Sequence, residues 1–304
     1  MSIYTLVENK LISLIMNPLV SVIIPNYNHA QYLDFRIQSI LNQSYKNFEI
    51  IILDDCSTDN SKEVIEKYRN NNQISHIIYN EKNSGSTFIQ WDKGIRLSKG
   101  EFIWIAESDD ICENNILEVL LNYYKCDPKL VISFCKSQFI NEKGEFMSPL
   151  LSVDNDLLLT GSRFIKNNMT CGNKICNASA VLFRKSALEK INLDYKKFVA
   201  AGDKLYWIEI AKQGNVAMCG QVLNYFRQHQ NKVSPKKVYD GTVFKEDHLI
   251  YCYLKKEGFI NCFNDFFIRN YYINIIYRTS FINKETMMQL LKLWNKPKVY
   301  NLLF

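Results

Sequence analysis

The sequence predicts an α/β fold: a mostly parallel sheet flanked by helices, followed by a helical C-terminal extension. Three observations carry this. Through the first half, β-branched apolar runs alternate with helical patterns at short spacing, as right-handed βαβ units require. After Asp127-Pro128 the pattern becomes mixed, and from about Phe244 it is helical. No internal repeat or low-complexity linker is visible in the 304 residues, and a hydrophobic content of 47% supports a large core.

Each element follows from its local pattern. Leu19 to Asn26 is apolar and β-branched and is stopped by Pro25. Gln31 to Gln43 places Leu33, Ile37, Ile40 and Leu41 on one helical face. Phe48 to Leu53 is a second strand, ending on Asp54 and Asp55. A helix near Ser61 to Asn70 opens with Asn60 and Glu63 spaced as a capping box. Ile74 to Tyr79 is a third strand, and Thr87 to Leu97 a helix that leads through Gly100 into a fourth, Glu101 to Ala106. A helix over Asn114 to Tyr124 follows. Beyond it, Leu130 to Ile140 reads as a strand and Glu142 to Glu145 as a hairpin turn. Ala178 to Arg184 is a short strand, Lys204 to Lys212 a helix closed by Gly214, and Val216 to Arg227 strand-rich. The organisation expected is a lead-in at residues 1–18, a domain at 19–240 with halves 19–127 and 128–240, and a helical extension at 241–304.

Composition narrows the function. Nine cysteines show no Cys-x-x-Cys pair and no zinc spacing, so they read as reduced thiols in a cytoplasmic protein. The first 17 residues lack a signal-peptide layout, and no run of 18 apolar residues exists to span a bilayer. The net charge of +6 favours an anionic partner, but no basic stripe interleaved with aromatics points to nucleic acid. Lys236, Lys237, Lys255, Lys256, Arg269 and Arg278 lie among many aromatics near the C-terminus. Those helices are open to two readings. They rest on a membrane surface, or they cover the domain's edge or make a homodimer contact, and the second is preferred.

Polar groups gather at the strand ends, where parallel α/β sheets bind ligands. The first strand runs into Asn26-Tyr27-Asn28, the second into Asp54-Asp55, the third into Asn83-Ser84-Gly85-Ser86 and the fourth into Glu107-Ser108-Asp109-Asp110. Ending a buried strand on carboxylates is unfavourable unless a positive group sits there. Mg²⁺ or Mn²⁺, held by carboxylates together with substrate phosphates, meets that need. The competing reading makes Asp109 or Asp110 the N-cap of the following helix. Four polar strand ends suited to one phosphorylated ligand favour the site.

The motifs Val20-Ser-Val-Ile-Ile-Pro-Asn-Tyr-Asn28, Ile51-Ile-Leu-Asp-Asp-Cys-Ser-Thr-Asp59, Trp104-Ile-Ala-Glu-Ser-Asp-Asp110 and Tyr225-Phe-Arg-Gln-His229 resemble those of family 2 glycosyltransferases, over about Leu19 to Ser234. The resemblance implies a GT-A fold, the Rossmann-like architecture of nucleotide-diphospho-sugar transferases. It implies a nucleotide-diphosphate sugar donor, UDP being the commonest choice, and inversion at the anomeric carbon. Pro25, Tyr27 and Asn28 match the first nucleotide-facing loop. Asp55, with Asp54 beside it, matches the acid that reads the base or ribose, unless the pair only forms a turn before Ser57. Asn83, Ser84 and Gly85 match the loop near the diphosphate. Asp109 and Asp110 match the metal-binding acids, with Ser108 between them and Glu107 where many relatives carry Asp. Asp203 matches the general base, although Gly202 stands where many relatives have Glu; the alternative is a helix N-cap. Arg227 is expected on phosphate oxygens and His229 on the metal or the diphosphate. Trp91 and Trp207 are expected either in the sugar or acceptor pocket or in the core.

The chain lacks the Gln-x-x-Arg-Trp motif of processive synthases. It is therefore expected to add one sugar, or a few, to a saccharide or lipid-linked glycan of a bacterial-type surface polymer. Two readings compete. A nucleotidyltransferase usually opens with a glycine-rich basic loop, which Pro25-Asn-Tyr-Asn28 is not. A silent nucleotide-sugar-binding module predicts loss of the acids, and Asp55, Asp109, Asp110 and Asp203 are all present.

Overall fold

A computed structural model of the protein describes residues 17–191, 193–230, 233–281 and 283–295, so nearly all of the lead-in lies outside the described residues. The chain divides into two compact units. The first holds the chain up to Gly161 with Ile175–Ile191 and Gln213–His229; the second holds Ser162–Lys174, Asn192–Lys212 and the chain from Gln230 onward.

The first unit is built on a nine-stranded sheet. Its strands are β1 (Val20–Asn26), β2 (Phe48–Asp54), β3 (Ile74–Tyr79), β4 (Phe102–Ile105), β5 (Ile111–Cys112), β6 (Leu130–Ile140), β7 (Leu157–Thr160), β8 (Val181–Arg184) and β9 (Asn215–Arg227). The order is β3-β2-β1-β4-β8-β6-β9-β5, with β7 also paired to β9. The helices are α1 (Ala30–Leu41), α2 (Ser61–Glu66), α3 (Thr87–Leu97) and α4 (Ile116–Cys126).

Strands β1 to β4 pair in parallel, as the alternation predicts. Every residue of β1, β2 and β4 is buried, which is why these strands read as nearly continuous apolar runs, broken only where Ser21 donates to Glu49 at 2.6 Å. Close helix packing helps: a Cβ on Gly94 of α3 would lie 2.4 Å from Cγ2 of Ile23. The expectation of parallel strands holds for this half. Beyond it β8 runs antiparallel to both β4 and β6, and β5 and β7 run antiparallel to β9, so the whole sheet is mixed. In that half β6 and β9 pair in parallel, from Leu130 beside Asn215 to Ile140 beside Arg227.

Two local expectations change. The helix expected over Ser61 to Asn70 ends at Glu66, and Asn60 makes no side-chain cap. Asp59 takes that role, accepting the backbone N–H of Ser61 at 3.0 Å and of Ala30 at 2.9 Å, so one carboxylate organises the starts of two helices.

The second unit is helical, with α5 (Gly202–Ala211), α6 (Val233–Tyr239), α7 (Thr242–Lys256), α8 (Cys262–Arg278) and α9 (Lys284–Asn295). Tyr272 of α8 stacks on Trp294 of α9 with ring centroids 4.1 Å apart, and Trp294 is fully buried. The buried ammonium of Lys204 donates to Asp247 at 2.6 Å and to the Tyr272 hydroxyl at 2.8 Å. A buried charge is tolerable only when paired and hydrogen-bonded in this way.

Candidate active site

The parallel register sets Asn26 level with Asp54, and the Asn26 amide donates to Asp54 Oδ2 at 2.8 Å. Asp54 Oδ1 accepts the Ser57 backbone N–H at 2.9 Å, so Asp54 does form the turn before Ser57. The loop after β1 is sewn to the loop after β2. Asn28 N donates to Ser57 Oγ at 2.9 Å, and Thr58 N donates to Asn28 Oδ1 at 2.7 Å. Asn28 and Cys56 have φ of +56° and +64°, values that non-glycine residues rarely adopt and that cluster at binding loops. Pro25 does not stop β1, since it pairs with Leu53 and the strand runs on to Asn26; Tyr27 follows with its ring half exposed.

Asp55 is buried, and its carboxylate gathers the third strand end. It accepts from Asn80 Nδ2 at 2.6 Å, Ser84 N at 2.9 Å, Ser84 Oγ at 2.8 Å and Gln90 Nε2 at 2.9 Å. Asn83 Nδ2 donates to the Asp55 carbonyl at 3.0 Å, and Gly85 turns the loop at φ +73°. Asp55, Asn83, Ser84 and Gly85 are thus brought together. The geometry adds Asn80 and Gln90, which no local motif marks.

The acidic turn follows β4, and its four residues take different directions. Trp91 Nε1 donates to Glu107 Oε1 at 2.9 Å, and Glu107 N donates to Ser179 Oγ at 3.0 Å. Desolvation, followed by the nearby charges of Asp109 and Asp110, pushes the Glu107 carboxyl up to about 8. Ser108 Oγ lies 2.8 Å from His29 Nδ1. Asp109 Oδ2 lies 3.0 Å from His229 Nε2. Asp110 turns inward, fully buried, accepting from Asn177 Nδ2 at 2.5 Å and from the Arg227 backbone N–H at 3.0 Å. Neither Asp109 nor Asp110 caps the next helix, whose N-cap position is Asn115.

His29, Asp109 and His229 each present a ligand atom within 4.8 Å of the others. Of the expected metal trio, Asp109 and His229 come together, whereas Asp110 belongs to the Asn177 network. His29 replaces it in the cluster. The sequence placed His29 beside the first loop, but nothing in its spacing tied it to Asp109. Two imidazoles and one carboxylate are a donor set suited to Mn²⁺ and less to Mg²⁺, which prefers oxygen.

Arg227 is buried beside the acidic turn. Its Nε donates to the Asp109 carbonyl at 2.8 Å, and Nη1 donates to the carbonyls of Asn141 and Glu142 at 3.0 Å each. Its guanidinium also lies 4.7 Å over the Tyr32 ring. The residue braces the acidic turn against the Glu142–Gly144 hairpin turn. Trp91 is buried, with its indole N–H on Glu107. Trp207 is fully buried.

In the second unit, Asp203 lies in the first turn of α5, after an N-cap position held by Ala201. Its Oδ2 accepts from Asn173 Nδ2 at 3.0 Å, and desolvation raises its carboxyl to about 6. The segment before α5 is gripped by Glu246 of α7. Its carboxylate accepts the backbone N–H groups of Val199, Ala200 and Ala201 at 2.8, 2.9 and 2.7 Å. Residue spacing gave no sign of Glu246.

The family model described as Glycosyl transferase family 2 matches residues 21–192, more than half of the chain. The chain belongs to this family. It is a glycosyltransferase. A putative teichuronic acid biosynthesis glycosyltransferase of Bacillus subtilis is 26% identical over 221 residues, 72% of this chain and 83% of the relative. A cholesterol galactosyltransferase of Borreliella burgdorferi is 31% identical over 276 residues, 83% of this chain and 73% of the relative. Among solved structures, residues 1–349 of Staphylococcus aureus TarS in complex with UDP-GlcNAc superpose at a TM-score of 0.56, with 18% identity over 90% of this chain and 71% of that one. A Pyrobaculum calidifontis mannosyltransferase in complex with GDP-Man and Mn²⁺ superposes at 0.54, with 12% identity over 95% and 76%. This glycosyltransferase therefore shares the fold of both solved structures.

Proposed function

We propose that the protein transfers one sugar, with inversion and with the help of a divalent cation, from a nucleotide-diphosphate sugar to a saccharide or lipid-linked glycan. The observation that carries this is the cluster of His29, Asp109 and His229 at the carboxyl end of β4, beside loops held by Asp54 and Asp55. A UDP-sugar is the favoured donor, in keeping with the UDP-GlcNAc complex of TarS. Asp55 would fix the loop that meets the base or ribose, and Asn83 to Gly85 the loop nearest the diphosphate. His29, Asp109 and His229 would hold Mn²⁺. The bound cation would neutralise diphosphate charge as the glycosidic C–O bond breaks.

Asp203 would act as general base, accepting the proton of the acceptor hydroxyl as its oxygen bonds to the anomeric carbon from the face opposite the leaving group. A carboxyl raised to about 6 is still mostly ionised at neutral pH and is a stronger base than a solvated Asp, whose pKa is about 3.9. The teichuronic acid relative supports a cell-surface glycan as product. Nine cysteines that form no disulfide suit action in the cytoplasm.

The test is binding of a nucleotide-sugar panel by calorimetry, with and without Mn²⁺, to the wild type and to Asp109→Asn. One donor should bind only with the cation, and the substitution should abolish it. Failure of every donor under every metal condition would sink the proposal.

A further inference from the structure

The helix α8 is apolar on both faces. Ile268, Tyr272 and Ile276, spaced four apart, are buried within the second unit. The opposite face carries Phe263, Phe266, Phe267, Tyr271 and Tyr277, which at 3.6 residues per turn fall in a single sector. Phe263 is 81% exposed, Phe267 71%, Tyr277 61% and Phe266 60%. Asn270 and Asn274 share the sector, yet so many exposed aromatics on one helix face mark a surface that meets something else. The reading that these helices merely cover the domain's own edge does not account for this face.

We propose that this face of α8 docks on an anionic lipid surface. Charge selects the occupant. Residues 230–304 hold twelve Lys and Arg against six Asp and Glu, a surplus of six that equals that of the whole chain. On α8 itself the exposed sector ends in Arg278 and carries no carboxylate, while Asp265, off that sector, is paired with Lys255 at 2.8 Å. A second copy of this chain would bring a like-charged segment against the first, whereas an anionic bilayer offers the opposite sign to the basic residues and an interfacial layer to the rings. Phe and Tyr suit that layer, with apolar bodies and, in Tyr, a polar tip. Among the described residues no helix is long and apolar enough to cross a membrane, so α8 lies along the surface.

This inference gives the proposed acceptor a place, since a lipid-linked glycan is presented at a membrane, but its test needs no sugar transfer. The full chain is sedimented with vesicles of phosphatidylcholine, with and without phosphatidylglycerol, across a salt series. Binding is expected to the anionic vesicles and to fall as salt rises. Phe263→Ser combined with Phe267→Ser should weaken it by on the order of tenfold or more, with unchanged circular dichroism and unchanged nucleotide-sugar binding. Phe263→Leu with Phe267→Leu should retain most of it. The proposal is overturned if the wild type binds neither vesicle, or if the serine variant binds as well as the wild type. It is also overturned if light scattering shows a dimer that the serine variant dissolves while vesicle binding is absent, since the face is then a contact between copies. Donor binding is measured alongside, so failure of the transferase reading would show separately.

Discussion

The carboxylate of Glu246 accepts the backbone N–H of Ala201 at 2.7 Å, two residues before Asp203. It also accepts the N–H groups of Val199 and Ala200, so one buried carboxylate pins the three residues that lead into α5. That anchor comes from another helix, while Ala201 at the N-cap position has no polar side chain to cap α5 itself. Glu246→Gln keeps one acceptor oxygen and removes the charge. Bonds to charged groups are worth about 1.5–3 kcal/mol, and a stability loss of that size is expected in urea unfolding. If Glu246 positions Asp203, kcat should fall by more than KM for the donor changes, and Glu246→Asp should restore part of it. An unchanged kcat at reduced stability would leave Glu246 as a structural anchor and nothing more.

The Asp203 carboxyl is raised to about 6, which separates its effects on activity and on stability. Activity that needs the ionised form should fall as pH drops through about 6, and the acid limb of kcat/KM measures this. Stability runs the other way. A carboxyl whose folded pKa exceeds its unfolded value of 3.8 holds its proton more tightly when folded. That contribution is fully present below 3.8 and is lost as pH rises through about 6. Asp203→Asn cannot ionise, so it should be more stable than the wild type at neutral pH, by about 2–3 kcal/mol from a shift of roughly two units. Its turnover should fall by about 10²–10⁴-fold. Equal stability of the two proteins at pH 5 and pH 8 would contradict the shift.

Asp55 has four side-chain or backbone donors on one buried carboxylate, linking β2 to the Asn80–Ser86 segment. Asp55→Asn turns one acceptor into a donor facing donors. It should cost about 3 kcal/mol or more in stability, as broken buried networks do. Nucleotide affinity should fall with it, while Mn²⁺ binding in the absence of nucleotide should persist. Loss of Mn²⁺ binding as well would mean that the two loops form one cooperative unit.

Much of this arrangement was legible in the chain because β1, β2 and β4 are buried on both faces and therefore read as nearly continuous apolar runs ending on polar residues. Parallel register then puts those ends at one level, so strand order alone brings Asn26 to Asp54. The second half was less legible. Its strands β8 and β9 are separated by helical chain assigned to another unit, so no short local connection announces how they pair. At the acidic turn, residue type identified the cluster but not the direction of each carboxylate. Asp109 and Asp110 are chemically equivalent, and only the positions of Asn177, Arg227 and His229, far along the chain, separate them. His29 was hidden for the same reason, its link to the site being tertiary.

That division between neighbouring carboxylates yields the sharpest contrast. Asp109 faces His229 and His29, whereas Asp110 is fully buried between Asn177 and the backbone of Arg227. Asp109→Asn, His29→Gln and His229→Gln each remove a donor from the candidate cation site and should weaken Mn²⁺ binding by about tenfold or more. Thermal stability without metal should change little. The rise in melting temperature on adding Mn²⁺, which follows mass action on the folded state, should shrink in all three. Asp110→Asn should behave in the opposite way. Removing a buried charge from its partners costs about 3–5 kcal/mol, so its melting temperature should drop without metal. The increment on adding Mn²⁺ should persist in whatever fraction folds. Calorimetric titration of Mn²⁺ into each variant measures both quantities. Loss of the metal response in Asp110→Asn at wild-type stability would return Asp110 to the cation and take His29 out of it.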